Sequence, residues 1–167
     1  MATKGLDRLN RQLAAIPRLQ IEAASRAMGG GAEDIVQGIK RVIPVDRGDL
    51  EASVNWTYGE APDDATFKPA KTPGERGKAM SAAGLKVSVY EGGKHAIQAR
   101  WVEFGTADAP AGTYKDAKGK TRTNKQAHVG TPAQPHFYPT IRAKKKPVKS
   151  KMVRESNKAA KAVAAVR

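Results

Sequence analysis

The sequence contains no cysteine, which excludes disulfide staples, thiol nucleophiles and cysteine-based metal sites together. Aromatic residues make up only 5% of the 167 positions, so the core has to be modest and mainly aliphatic. Gly and Pro are plentiful by contrast, at 16 and 10 residues, and imply extensive loops. No apolar run approaches the roughly 18 residues that a membrane span requires. Met1–Gln12 mixes charges among its leucines and lacks an apolar segment followed by a small-residue cleavage site. The expectation is a soluble protein made in a reducing cytoplasm, long enough for one domain.

Acidic residues are scarce in one place only. Residues 1–110 carry 15 Lys/Arg and 14 Asp/Glu, whereas residues 111–167 carry 15 Lys/Arg and just Asp116 and Glu155. The net charge of +14 is therefore concentrated in the last third of the chain. Such a segment suits nucleic acid or an acidic protein surface; a solvated tail that aids solubility is the simpler alternative.

Signatures of chemistry are also missing. His95, His128 and His136 have no metal-ligand spacing. Gly74-Glu75-Arg76-Gly77-Lys78 has too few residues between its glycines for a phosphate-binding loop, and Ala79 stands where a hydroxyl is needed. No serine sits in a nucleophile-elbow pattern. Asp46, Asp49 and Glu51 read as turn acids, and Asp63-Asp64 lacks a second acidic cluster. Neither catalysis nor a cofactor is expected.

The patterns that are present predict an α+β fold: N-terminal helices packed on a small antiparallel sheet, two long loops and a C-terminal helix. Leu6, Leu9, Leu13 and Ile16 have helical spacing up to Pro17, and a second apolar series runs from Leu19 to Ile43. Gly29-Gly30-Gly31 interrupts that series, so the helix either bends there or is closely approached by another part of the chain. Pro44 ends it. Leu50, Ala52, Val54, Trp56 and Tyr58 alternate as in a strand, and Leu85, Val87 and Val89 do so again. Segment 96–104 is open: Ile97, Trp101 and Phe104 fit a short helix, while the alternation around Ala99 and Trp101 fits a strand. Residues 59–82 and 107–134 read as long loops, and Ser150 as the cap of a last helix reaching about Val166. The division expected is one domain over residues 1–143 and a basic arm or helix over 144–167.

Three segments combine into something more specific. The first, Ile43–Ser53, joins a helix stop, a turn and a strand start, and contains Pro44, Asp46, Gly48, Leu50 and Ser53. The second is Trp101-Val102-Glu103-Phe104-Gly105-Thr106, and the third is Pro132–Pro139, with Pro135, Phe137 and Pro139. In this order they resemble the tail-completion or head–tail joining (neck) family of long-tailed bacteriophages, which includes the Z-like minor tail proteins. The resemblance runs from about Leu19 to about residue 160. Arg47 replaces a threonine-like position, His95-Ala96 stands where an aromatic–alanine pair is common, and the loop before Pro135 is long and basic.

The resemblance implies a virion structural protein that forms a ring, hexameric by analogy with tail symmetry, at the neck or head-proximal tail end. Its partners would be neighbouring neck and tail proteins, and DNA in the channel; no membrane is involved. Within the matched motifs, Gly48 would supply a turn conformation closed to other residues, Trp101 and Phe104 would be buried anchors, and Gly105 would make a tight turn before Thr106. Glu103, between two apolar residues, would either receive backbone N–H groups or meet a neighbour's basic residue, and the first is favoured. Pro135, Phe137 and Pro139 would lock a stiff crossing segment. Contacts to an acidic partner or DNA would come from Lys115, Lys118, Lys120, Arg122, Lys125, Arg142, Lys144, Lys145, Lys146, Lys149 and Lys151. Sequence-independent nucleic-acid binding by the basic C-terminal arm is the competing reading.

Overall fold

A computed structural model describes residues 4–67, 85–93 and 96–165. Two long helices form its frame: α1 (Lys4–Lys40) and a C-terminal helix that begins at Phe137. Pro17 was expected to break or restart the first helix, but α1 runs through it. The helix stops at Lys40, ahead of Pro44.

The glycines of α1 are explained by what lies against them. A methyl group at Gly29 would overlap the Tyr58 ring, and one at Gly31 would overlap Val148. At Gly38 it would lie 2.5 Å from the Lys144 side chain. Of the two alternatives left open by the sequence, close approach is therefore the one present. Glycine costs about 1 kcal/mol relative to alanine inside a helix. Here that cost lets the side chains of Tyr58 and of the C-terminal helix seat directly on the α1 backbone, with Ala24, Ala27, Ala32, Ile35, Val36 and Ile39 buried along the same helix.

After α1 the chain reaches Gly48, whose φ of 83° is a left-handed conformation that side chains disfavour. The residues that follow were expected to begin a strand. They form instead a single helical turn, α2 (Asp49–Ser53), and strand β1 covers only Asn55–Tyr58. The alternation misleads because Leu50 and Val54 are also four residues apart. Both are buried, and the Ser53 hydroxyl donates to the Leu50 carbonyl at 2.7 Å.

Strands β2 (Ala65–Phe67) and β3 (Val87–Gly92) complete an antiparallel sheet in the order β1–β3–β2, with Asn55 opposite Tyr90 and Ala65 opposite Gly92. β2 lies inside the first expected loop, most of whose remainder falls outside the described residues. Segment 96–104 resolves as a helix, α3 (Ala96–Phe104). The second expected loop holds a hairpin, β4 (Gly112–Lys115) and β5 (Thr121–Asn124).

The last helix, α4, spans Phe137–Ala165 and starts thirteen residues before the expected cap at Ser150. It passes through Pro147 and across residues 143 and 144 without a break. An internal proline costs about 3 kcal/mol; packing on α1 from Lys144, Val148 and Lys151 flanks it on both sides. Contacts pairing Gly38 with Thr140 and Gly31 with Val148 make α1 and α4 antiparallel.

The core gathers Ile35, Val36, Ile39, Ile43, Leu50, Val54, Phe67, Ala99 and Phe137. It joins both long helices to the sheet and α3, and is aliphatic apart from two phenylalanines. Among the described residues, no helix is long and apolar enough to cross a membrane.

Candidate functional site

The three sequence segments converge in space, and Glu103 is the pivot. Every helix start leaves backbone N–H groups without a partner inside the helix. At the start of α4 these are gathered by a side chain from α3. Glu103 Oε2 accepts the N–H of His136 at 2.8 Å and of Phe137 at 2.9 Å, and Oε1 accepts that of Tyr138 at 3.2 Å. The next residue, Pro139, has no N–H to satisfy. A carboxylate at a helix N-terminus also meets the positive end of the helix dipole. Glu103 is only 3% exposed, and its charge is matched inside the subunit.

His136 extends this into a buried network. Its Nε2 faces both oxygens of Glu91 on β3, at 2.9 and 3.1 Å. Its Nδ1 faces the Gln134 carbonyl at 3.0 Å and Glu103 Oε2 at 3.3 Å. Both ring nitrogens point only at acceptors, so the imidazolium form satisfies the site fully. Burial pushes the imidazole toward its neutral form, but the hydrogen bond to Glu91, helped by Gln134 and the two carboxylate charges, outweighs it and raises the pKa.

This is the one His–carboxylate constellation in the described fold that invites a catalytic reading, and its placement argues against one. Glu91, Glu103 and His136 are sealed from solvent. The two carboxylates meet different nitrogens of the ring, Glu91 at Nε2 and Glu103 at Nδ1, so each is engaged by the imidazole itself. Among the described residues, no group of His, Asp and Glu is arranged to hold a metal ion.

The second and third segments are also stitched through their backbones. Gln134 N–H donates to the Val102 carbonyl at 2.8 Å, and Thr106 N–H to the Thr131 carbonyl at 2.9 Å. The Thr106 and Thr131 hydroxyls meet at 2.9 Å. Gly105, at φ 74°, could not carry a side chain: a Cβ would lie 2.7 Å from the Thr131 carbonyl oxygen.

With Glu103 facing inward, the outer face of α3 is fixed. Ile97, Trp101 and Phe104 fall at helical spacing on the solvent side, 62%, 52% and 59% exposed. The expectation that Trp101 and Phe104 are buried anchors is therefore incorrect. Ala99, Val102 and Glu103 take the inward positions, and Phe104 touches the fold at its edge, with ring centroids 5.9 Å from Phe67 and 6.2 Å from Tyr138. α3 is inverted relative to an ordinary surface helix, with its acid inside and its apolar stripe outside.

Trp101 also borders an open cleft of about 620 Å³ shared by all three segments. Pro44, Val45, Asp46, Gly48 and Asp49 line one part, and Thr131, Pro132 and Gln134 another. Within the third segment, Phe137 is buried in the core, while Pro135 and Pro139 are exposed. The sequence showed no metal-ligand spacing for His136 and no role for Glu91. The only available signal was an acid in the middle of strand β3 and a histidine next to a core phenylalanine.

The basic residues divide between two elements. Lys115, Lys118, Lys120, Arg122 and Lys125 lie on or beside the β4–β5 hairpin; Arg142, Lys144, Lys145, Lys146, Lys149 and Lys151 lie on α4. Lys144 lies over Gly38 and Lys151 Nζ is 3.9 Å from Asp34, so these two face α1. The others on α4 point to solvent.

No curated protein and no solved structure gives a significant match to the chain. One family profile does, over residues 7–105, which takes in α1, the sheet and α3 and stops at Gly105. Its description is "Bacteriophage HK97-gp10, putative tail-component". The match contains the first segment and all of the second but Thr106, and covers more than half of the sequence; on that basis the chain belongs to the HK97-gp10-like family of bacteriophage tail components.

Proposed function

We propose that this tail component is a ring-forming tail-completion subunit of the virion, sited at the head–tail junction, and that it works by docking and not by catalysis. The observation that carries this reading is the outward stripe Ile97–Trp101–Phe104. Contiguous exposed apolar side chains rimmed by polar ones mark protein–protein contacts, and this stripe lies within the family-matched region. Its orientation is fixed from behind by Glu103, whose three backbone hydrogen bonds hold α3 against the start of α4. A rigid apolar face is suited to repeated, identical contacts in a ring and to the neighbouring neck and tail proteins. Sixfold tail symmetry, implied by the resemblance to tail-completion proteins, makes a hexamer the expected copy number.

The test is deletion of the gene from the parent phage, followed by negative-stain microscopy of lysates. Filled heads and separate or aberrant tails are expected, with few joined virions. Normal infectious particles would refute the assembly role.

A second reading draws on the solvent face of α4, where Arg142, Lys145, Lys146 and Lys149 are exposed. This face could grip DNA in the channel without sequence preference. Such binding would weaken steeply with salt, by a slope of about 0.9 per phosphate contacted. Sequence-selective, salt-insensitive binding would overturn both the docking reading and this one.

A further inference from the structure

The β4–β5 hairpin is well specified, yet among the described residues no helix or strand packs over it. Its turn is organised by Asp116, whose Oδ1 accepts the N–H groups of Lys118 and Lys120, each at 2.9 Å. The Arg122 guanidinium donates to Oδ2 at 3.3 Å. The base is pinned by paired backbone bonds between Ala109 and His128 at 2.8 and 2.7 Å, and by Gly130 N–H on Asp108 at 2.7 Å. Yet every residue of β4 is exposed, Tyr114 included, and neither strand packs extensively on another described helix or strand. A lone two-stranded hairpin is marginal in water, and its open edges invite a partner.

What the hairpin lacks, the cleft offers. Pro44, Val45 and Trp101 give it apolar walls, and Val45 is 63% exposed. Asp46, Asp49 and Glu51 outnumber Arg47 among its lining side chains, and none of the three acids has an ion-pair partner among the described residues. The hairpin and its flank carry five cations against Asp116 alone. No residue of the hairpin lines the cleft of its own subunit.

We infer that the β4–β5 hairpin of one subunit docks into the Asp46–Asp49–Trp101 cleft of the next copy, a directional arm-into-cleft contact that propagates around the ring. The inference rests on the ring reading and names the two surfaces that make it. Tyr114 is the aromatic anchor, the kind of side chain that dominates contact energy when buried in a pocket. Lys118 and Lys120 meet the acids at the cleft's edge, setting orientation. Because the two surfaces differ, the contact is heterologous, and such contacts close into rings when the rotation allows.

Two charge reversals test this in the full-length protein, read by native mass spectrometry and sedimentation. The arm variant is Lys118→Glu with Lys120→Glu; the cleft variant is Asp46→Lys with Asp49→Lys. All four positions are exposed, and circular dichroism should show unchanged folds. Wild-type protein should form closed oligomers and each variant alone should run as monomer. Mixing the two variants, or combining them in one chain, should restore oligomers, since every contact is then native or charge-swapped. If wild type assembles and both variants still assemble, the arm and cleft are refuted while the ring stands. Loss of assembly without rescue refutes their pairing. A wild-type chain that stays monomeric overturns the ring and this contact together.

Discussion

The Glu91–His136–Glu103 network and the β4–β5 hairpin are both polar, hydrogen-bonded and tightly specified, yet they lie at opposite extremes of burial. In the first, two acids and a histidine are sealed from water, and their bonds tie β3, α3 and α4 to one another. In the second, Asp116 bonds only to its own turn and strand, and the hairpin's polar atoms face solvent. The same chemistry therefore serves two ends. Where it links separate elements inside, it stabilises the fold. Where it stiffens one exposed element, it presents a surface. Substitutions should separate the two roles.

The largest effect is expected at Glu103. Glu103→Ala leaves three backbone N–H groups at the start of α4 without acceptors and His136 beside a single carboxylate. Breaking a buried charge network by removing one member costs about 3–5 kcal/mol, which equilibrium urea unfolding would detect. A loss below about 1 kcal/mol would mean that the network does not carry the fold. Next comes the helix seam. Gly31→Leu forces a side chain into Val148, and overpacking of this kind costs about 1–3 kcal/mol. The corresponding change at Gly48 would act through backbone strain instead, because no atom lies within 4 Å of a Cβ placed there.

The histidine predicts a pH dependence with a definite sign. Its folded-state pKa is raised, so the native state holds a proton that the unfolded state releases near the ordinary value of about 6.5. The stabilisation is fully present below that value and is lost as pH rises through the folded-state pKa. Thermal midpoints should therefore fall as pH is raised from below about 6.5 to above the folded-state pKa. Nitrogen NMR of the imidazole should show both ring nitrogens holding their protons to a higher pH in the folded protein than in the unfolded chain; loss of the proton at or below the unfolded value would contradict the geometry.

Much of this division could be read in the sequence, and the rest could not for identifiable reasons. The apolar series Leu19–Ile43, the alternation of Leu85–Val89 and the turn at Gly48 are local patterns, and the α+β class follows from them. Glu103 stood out because an acid between Val102 and Phe104 needs a partner, and its acceptor role is what the fold provides. The partner itself could not be read, because 33 residues separate Glu103 from His136. Trp101 and Phe104 were expected inside on the resemblance, while the sequence left segment 96–104 open between helix and strand. As a helix with Glu103 turned inward, it carries both outward. The hairpin escaped notice because Thr, Lys and Arg dominate it, and Tyr114 alone makes no apolar alternation. α4 was started too late because Pro139 and Pro147 read as breakers. One lies in the first turn, where no N–H is needed, and the other is flanked by packing on α1.

The smallest effect on stability, and the one that sharpens the comparison most, is expected at Trp101. It projects from α3 between the cleft and the base of the hairpin, and half of it is in water. Trp101→Gln keeps a good helix former at an exposed position, so unfolding free energy should change by no more than about 0.5 kcal/mol. If the outer face of α3 exists for docking, the same substitution should nonetheless reduce the yield of joined virions when the variant gene replaces the wild type. A fall in stability beyond about 1.5 kcal/mol would show that Trp101 belongs to the core, and the contrast between a sealed inner face and a docking outer face would collapse. Unchanged stability with unchanged assembly would remove Trp101 from the contact while leaving the network behind it intact. Only a stable subunit that fails to join has its fold and its docking on opposite sides of one nine-residue helix.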